Sequence, residues 1–220
     1  MNQIWIIHRL GSSERLCKLT SQLQLNLDLD LINIVCTENC FDFGFAYPDT
    51  IPDSLVSIGY VLRPLTYPEQ SVFKKHVRAL KGIADCQGPF GLVFEDDVGF
   101  LSYDQFSNFW YRSHLTPGFI EYDILFFGTG AHQRLEGTGI LIPNHTWHKT
   151  KCADSYLISP SAAHNVLQDY KIYPPFMPYD WDLSLRINRL KLNVGWLQPG
   201  LTYQGSQTGH FMSTIQNIHG

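Results

Sequence analysis

The stretch "GPFGLVFEDDVGF", Gly88 to Phe100, decides how the chain is read. Gly88 and Pro89 punctuate, and Phe90 to Phe94 form an apolar run short enough to be a buried strand. The run ends on three acids, Glu95, Asp96 and Asp97, and apolar character resumes at Val98. Adjacent carboxylates repel one another and are costly away from water. A shared cation makes such a group tolerable, so the stretch raises the question of a divalent metal at the end of a central strand, with an acidic strand end facing solvent as the other reading. Mg2+ and Mn2+ are hard cations that take oxygen ligands and hold substrate phosphates.

Outward from this strand the chain alternates. Strands are expected at Gln3 to Ile7, "LINIVC", "SLVSIGYVL", "FGLVF", "YDILFFG", "SYLIS" and "LNVGWL". Between them, helices are expected from Ser12 or Ser13 to Leu25, from Pro68 to Ala84, and over "YDQFSNFWYRSHL", "PSAAHNVLQDY" and "WDLSLRINRL". Thr37 to Pro52, Thr129 to Lys151 and Leu201 to Gly220 read as irregular. The alternation predicts an α/β fold, with helices covering a mostly parallel central sheet. Ligands of such sheets sit beyond the carboxyl ends of strands, where Glu95 to Asp97 and the "GTG" at Gly128 to Gly130 both fall. No repeat or linker interrupts the pattern, so residues 1–220 are expected to form one domain.

Composition narrows the function. The chain is 44% hydrophobic and 16% charged, with a net charge of -4. No basic excess favours a nucleic-acid partner. Lys74, Lys75, Arg78 and Lys81 form one basic run, read either as a solvated face or as an anion-facing patch. No window approaches a membrane span. Five scattered cysteines without CxxC spacing point to a reducing, cytoplasmic setting without structural zinc or a disulfide framework. The "NHT" at Asn144 is a glycosylation sequon that a cytosolic protein would not use.

Several motifs together resemble glycosyltransferase family 25, the enzymes that build lipopolysaccharide and galactosylate collagen hydroxylysine. "IWIIHRLGSSER" resembles the opening strand and its arginine, Arg15. "PEQSVFKKHVRALKG" resembles the family's Glu-to-His helix, with Glu69 and His76 in the matching places. "LVFEDD", "YDILFFG", "SYLISPSAAHNVL" and "MPYDWDL" follow in order. Ser71 and Val72 stand where the family often has Gly-Cys, and His8 and Arg9 where its opening strand often ends in Asn-Leu.

The resemblance implies a nucleotide-diphospho-sugar transferase fold of the GT-A type and a single glycosyltransferase catalytic domain. It implies metal-assisted, inverting transfer from a nucleotide sugar, expected to be UDP-linked, to a glycan or lipopolysaccharide-type acceptor. Asp97 is then the principal ligand of Mn2+ or Mg2+ and Asp96 a supporting one. Arg15, Glu69, His76, Glu95 and Asp96 are expected on the donor side. His210, in the glycine-containing tail "GSQTGHFMS", would complete the metal site. The catalytic base is expected at Asp180, after Pro178, with Asp182 as the other candidate.

Each residue also has a plainer reading. Glu69 suits the first turn of a helix, His76 a helix's buried face, and Asp180 or Asp182 a helix cap. Two other functions share the same residues: a noncatalytic nucleotide- or sugar-binding module, and a hydrolase that uses the metal to activate water.

Overall fold

A computed structural model of the chain describes residues 3–24, 32–36, 45, 53, 61–115, 121–129, 135–143, 149–150 and 152–210. Helix α1 is Ser13–Gln24, α2 Tyr67–Ala84, α3 Tyr103–Leu115, α4 Pro160–Ile172, α5 Tyr179–Leu190 and α6 Gly205–Thr208. The strands are β1 Gln3–Ile7, β2 Ile32–Val35, β3 Gly91–Glu95, β4 Val98–Phe100, β5 Ile124–Phe126, β6 Gly139–Leu141, β7 Ser155–Ile158, β8 Val194–Gln198 and β9 Thr202–Gln204. The expected strand "SLVSIGYVL", the loop Thr37 to Pro52 and the sequon at Asn144 fall almost wholly outside the described residues.

Local chemistry sets the helix starts. Thr66 caps α2 in a capping box with Glu69, and Pro68 occupies the first turn, where no backbone donor is needed. Ser159 caps α4 by accepting from the amide of Ala162 at 3.1 Å, again with a proline in the first turn. Helix α5 follows Pro178 and ends at Lys191 in the left-handed conformation, φ 53°.

Seven strands make one sheet in the order β2-β1-β3-β7-β5-β8-β6. The expected mostly parallel sheet is corrected here. The pairs β1–β2, β1–β3 and β5–β8 are parallel; β3–β7, β5–β7 and β6–β8 are antiparallel. The fold is thus α/β with a mixed sheet. The alternation of strands and helices holds, but the chain from β5 forms β6 at the edge, then inserts β7 in reverse between β3 and β5. That connection carries β6 inside a stretch read as irregular. A second, two-stranded ribbon pairs β4 with β9, and β9 and α6 lie in what was expected to be loop.

Alternate side chains of the sheet feed two cores. Val93, Phe126, Tyr156 and Trp196 pack with Phe73, Val77 and Leu80 of α2, Val166 of α4 and Leu183 of α5. Leu92, Phe94, Leu125 and Leu157 pack on the other face with Leu19 and Leu23 of α1 and Phe106 and Phe109 of α3. Among the described residues no helix is long and apolar enough to cross a membrane.

Candidate active site

Because β7 is antiparallel, its first residues lie at the same edge of the sheet as the last residues of β3. The Glu95 amide donates to the Asp154 carbonyl at 2.8 Å. The Asp96 amide donates to the Ile7 carbonyl at 3.0 Å, which ties the acidic turn to the end of β1. Glu95, Asp96, Asp97 and Asp154 therefore crowd one edge, and Asp180 reaches it from the start of α5. A pocket of about 90 Å3 opens there, lined by Arg9, Arg15, Lys75, Glu95, Asp96 and Asp97 among others.

The three acids have separate environments. Asp96 is held on both oxygens: Oδ2 lies 2.9 Å from His8 Nδ1 and accepts from the Arg9 amide at 2.9 Å, and Oδ1 lies 3.5 Å from the Arg15 guanidinium. Asp97 accepts from the Ser206 amide through Oδ2 at 3.2 Å, and its carbonyl accepts from the Gly205 amide. Its Oδ1 is buried and takes no hydrogen bond among the described residues. Burial raises the Asp97 pKa and Asp96 adds to the rise, while Ser206 and Arg15 oppose it.

Glu95 lies 3.3 Å from His76 Nε2 through Oε1 and accepts from Gln204 at 3.3 Å through Oε2. Its pKa is pushed well above the ordinary carboxylate value by burial first, then by the charges of Asp97, Asp154, Asp180 and Asp96.

The other predicted residues are spread around this edge. His76 is 0% exposed. Its Nδ1 lies 3.1 Å from the Tyr156 hydroxyl, and its ring stacks on Tyr179 with centroids 3.9 Å apart. Burial, then the charge of Lys75, lowers its pKa to about 3, so the imidazole is neutral. Glu69 serves the α2 capping box and accepts from Arg63. Burial raises its pKa, but the bonds from Arg63 and Thr66 outweigh this and leave it lowered.

Asp180 is half-buried and accepts from the Trp181 amide at 3.0 Å. Burial, with a further push from Glu69, raises its pKa to about 6. Asp182 points elsewhere: it is fully buried, with Oδ2 and Oδ1 3.0 and 3.2 Å from Arg186. His210 is exposed, 2.8 Å from the Thr208 hydroxyl and packed against Tyr203. The basic run divides, because Lys75 is buried and lines the pocket while Lys81 is exposed.

Asp154 escaped the sequence reading. It is 0% exposed, and its carboxylate rests against Gly128, where any Cβ would come within 2.5 Å of it. The glycine of "GTG" thus admits an aspartate of the protein itself. An acid just before a strand reaches this edge only if that strand runs antiparallel, and no local signal marks direction.

Among the described residues no group of three or more His, Cys, Asp or Glu is arranged to hold a metal ion. Mg2+ is commonly held by one or two carboxylates plus substrate phosphates, so a full protein cage is not required. The unbonded, buried Oδ1 of Asp97 fits such a ligand. Asp96 is already occupied, and His210 is not gathered with the acids.

No protein-family model matches the chain, and no curated protein matches it. Among solved structures it is similar to TarS from S. aureus, at 14% identity and a TM-score of 0.49, covering 93% of this chain and 60% of that one. It is similar to a Drosophila β-1,4-galactosyltransferase 7 mutant in complex with manganese, UDP-Gal and xylobiose, at 10% identity and TM-score 0.44, covering 93% and 71%. It is also similar to CMP:2-keto-3-deoxy-manno-octonic acid synthetase complexed with CTP, at 9% identity and TM-score 0.47, covering 95% of each chain. These likenesses are too loose to assign a family or a chemistry to the chain.

Proposed function

We propose that residues 1–220 form a glycosyltransferase domain of the GT-A type. It moves a sugar, with inversion, from a nucleotide sugar, expected to be UDP-linked, to a hydroxyl of a glycan or lipopolysaccharide-type acceptor. One observation carries the reading. Two carboxylates at one sheet edge, Asp97 and Asp180, form no ion pair among the described residues, and Asp97 lines a pocket that also holds Arg9, Arg15 and Lys75.

Asp97 would hold Mn2+ or Mg2+ together with the donor diphosphate, and the bound ion would supply positive charge to the leaving group. Asp96 would support it only by giving up a contact with His8, Arg9 or Arg15. His210 would join only on rearrangement of the tail. Arg15 would bind the diphosphate, with Lys75 beside it at the pocket. Asp180, with a pKa of about 6, is mainly ionised at pH 7 and can accept the acceptor's hydroxyl proton. The hydroxyl oxygen then bonds to the anomeric carbon as the bond to the diphosphate breaks, and the diphosphate leaves with the electron pair. The four described cysteines are free thiols, which fits a cytoplasmic setting.

The test is a panel of nucleotide sugars with Mn2+, each with and without glycan acceptors. Slow donor hydrolysis, accelerated by an acceptor, is expected. Binding without turnover would favour a noncatalytic module, and hydrolysis indifferent to acceptors a hydrolase. Unchanged Mn2+ affinity in Asp97→Asn, by calorimetry, would remove the metal assignment.

A further inference from the structure

We propose that His76 is a positioning residue that links the donor-side carboxylate Glu95, through a buried chain of hydrogen bonds, to Tyr179, the residue that precedes the acceptor-side base Asp180. The proposal rests on the glycosyltransferase reading for the roles of its two ends; the chain itself does not.

The chain has four members on four elements. Glu95 ends β3, His76 sits mid-way along α2, Tyr156 is on β7, and Tyr179 opens α5. Glu95 Oε1 lies 3.3 Å from His76 Nε2, His76 Nδ1 3.1 Å from the Tyr156 hydroxyl, and that hydroxyl 2.9 Å from the Tyr179 hydroxyl. The imidazole also stacks on the Tyr179 ring, with the planes 11° apart. Both ring nitrogens and one ring face are thus committed. A neutral imidazole offers one donor and one acceptor, which two such partners satisfy.

His76 has no exposed surface, so it meets a ligand only through Glu95, whose side chain keeps 22% exposure in the pocket. At the other end, Tyr179 adjoins Asp180. Asp180 shares the first turn of α5 with Tyr179, whose ring packs on His76 and Phe73. A shift of one end therefore disturbs the other, and placement errors near 1 Å lower transfer about 100-fold. Gln204 holds the second oxygen of Glu95 at 3.3 Å, so His76 and Gln204 fix that carboxyl from two sides.

The experiment uses the full chain. His76→Phe keeps the ring and loses both hydrogen bonds. We expect kcat for transfer to fall about 10- to 100-fold, with any rise in donor KM smaller than the fall in kcat. His76→Gln, whose amide can return the bond to Glu95, should recover part of kcat. Tyr156→Phe removes a single hydroxyl and serves if His76→Phe does not fold; a smaller fall in kcat is expected. Unchanged kcat in folded His76→Phe, or in Tyr156→Phe if that variant alone folds, overturns the proposal.

A second readout needs no turnover. In ring nitrogen NMR spectra, the His76 Nε2 signal should move in Glu95→Gln, and Nδ1 in Tyr156→Phe and Tyr179→Phe. Signals that ignore all three substitutions overturn the chain of bonds. If those signals move but no nucleotide sugar is turned over by the wild type, the chain of bonds stands and the glycosyltransferase reading fails.

Discussion

Asp180 and Asp182 stand two residues apart at the start of α5 and belong to opposite kinds of environment. Asp182 faces inward. It is clamped by Arg186, which also lies 2.5 Å from Asp169, while Arg189 approaches Asp169 at 3.5 Å. Arg186 further rests over the Tyr170 ring, 4.8 Å from its centroid. This group locks α4 to α5, with each acid matched to a guanidinium. Burial lowers the Arg186 pKa, yet its carboxylate partners hold it above the ordinary range.

Asp180 faces the sheet edge with Glu95 and Asp97. None of these three pairs with a lysine or arginine among the described residues, and burial raises the pKa of each. A protein that stabilised only its fold would gain by pairing or removing them. Acids are matched between α4 and α5, whereas at the end of the sheet Asp96 is matched and Glu95, Asp97 and Asp180 are not. Perturbed carboxylates grouped in this way mark a candidate site.

The sharpest way to break this contrast is to unmatch the matched side. Arg186→Met leaves Asp169 and Asp182 buried beside an apolar side chain. We expect a loss of about 3–5 kcal/mol in urea unfolding, because a buried charge without its partner is strongly destabilising. A variant within about 1 kcal/mol of wild type would mean that these acids are neutral or solvated in the folded protein.

On the unmatched side the expected damage falls on activity. Asp180→Asn should lower kcat for transfer about 100- to 1000-fold with donor affinity retained. Asp182→Asn should behave oppositely, losing stability while keeping turnover per folded molecule. If the two variants exchange these phenotypes, the assignment of base and structural acid is reversed.

pH sharpens the comparison further. The folded pKa of Asp180 is raised to about 6, above its unfolded value. Its contribution to stability is therefore complete below about pH 4 and lost as pH rises through about 6. Asp180→Asn should be more stable than wild type by roughly 1–3 kcal/mol at pH 7 to 8, and this advantage should vanish near pH 4. Transfer has the opposite sign, since the base acts ionised: kcat should climb through about pH 6 and level off above it. Melting curves and initial rates across pH 4 to 8 read both trends.

The smallest effect concerns Glu69, a buried acid matched by the exposed Arg63 and by the α2 cap. Thr66→Ala removes half of the capping box and should lower stability by about 1 kcal/mol, seen as a modest fall in Tm. Transfer per folded molecule should change little, since Glu69 keeps its bonds from Arg63 and from the backbone amide at position 66.

Most of the local elements were legible in the sequence, but β6, β9 and α6 were not. Caps, prolines and apolar periodicity act within a few residues, so α2 and α4 start where Thr66, Pro68, Ser159 and Pro160 require, and β3 ends on its acids. It also marked the acidic turn, because three adjacent carboxylates are visible without a fold. Tertiary structure alone decided strand direction, and hence that β7 brings Asp154 to the acidic edge. It decided that Asp96 is occupied by His8, Arg9 and Arg15, that Gln204 and Ser206 reach Glu95 and Asp97, and that Arg186 is the residue that clamps Asp182. The reason is physical: backbone propensity is set by near neighbours, whereas the environment of a charge is set by whichever residues the chain brings beside it, here as many as 109 positions away.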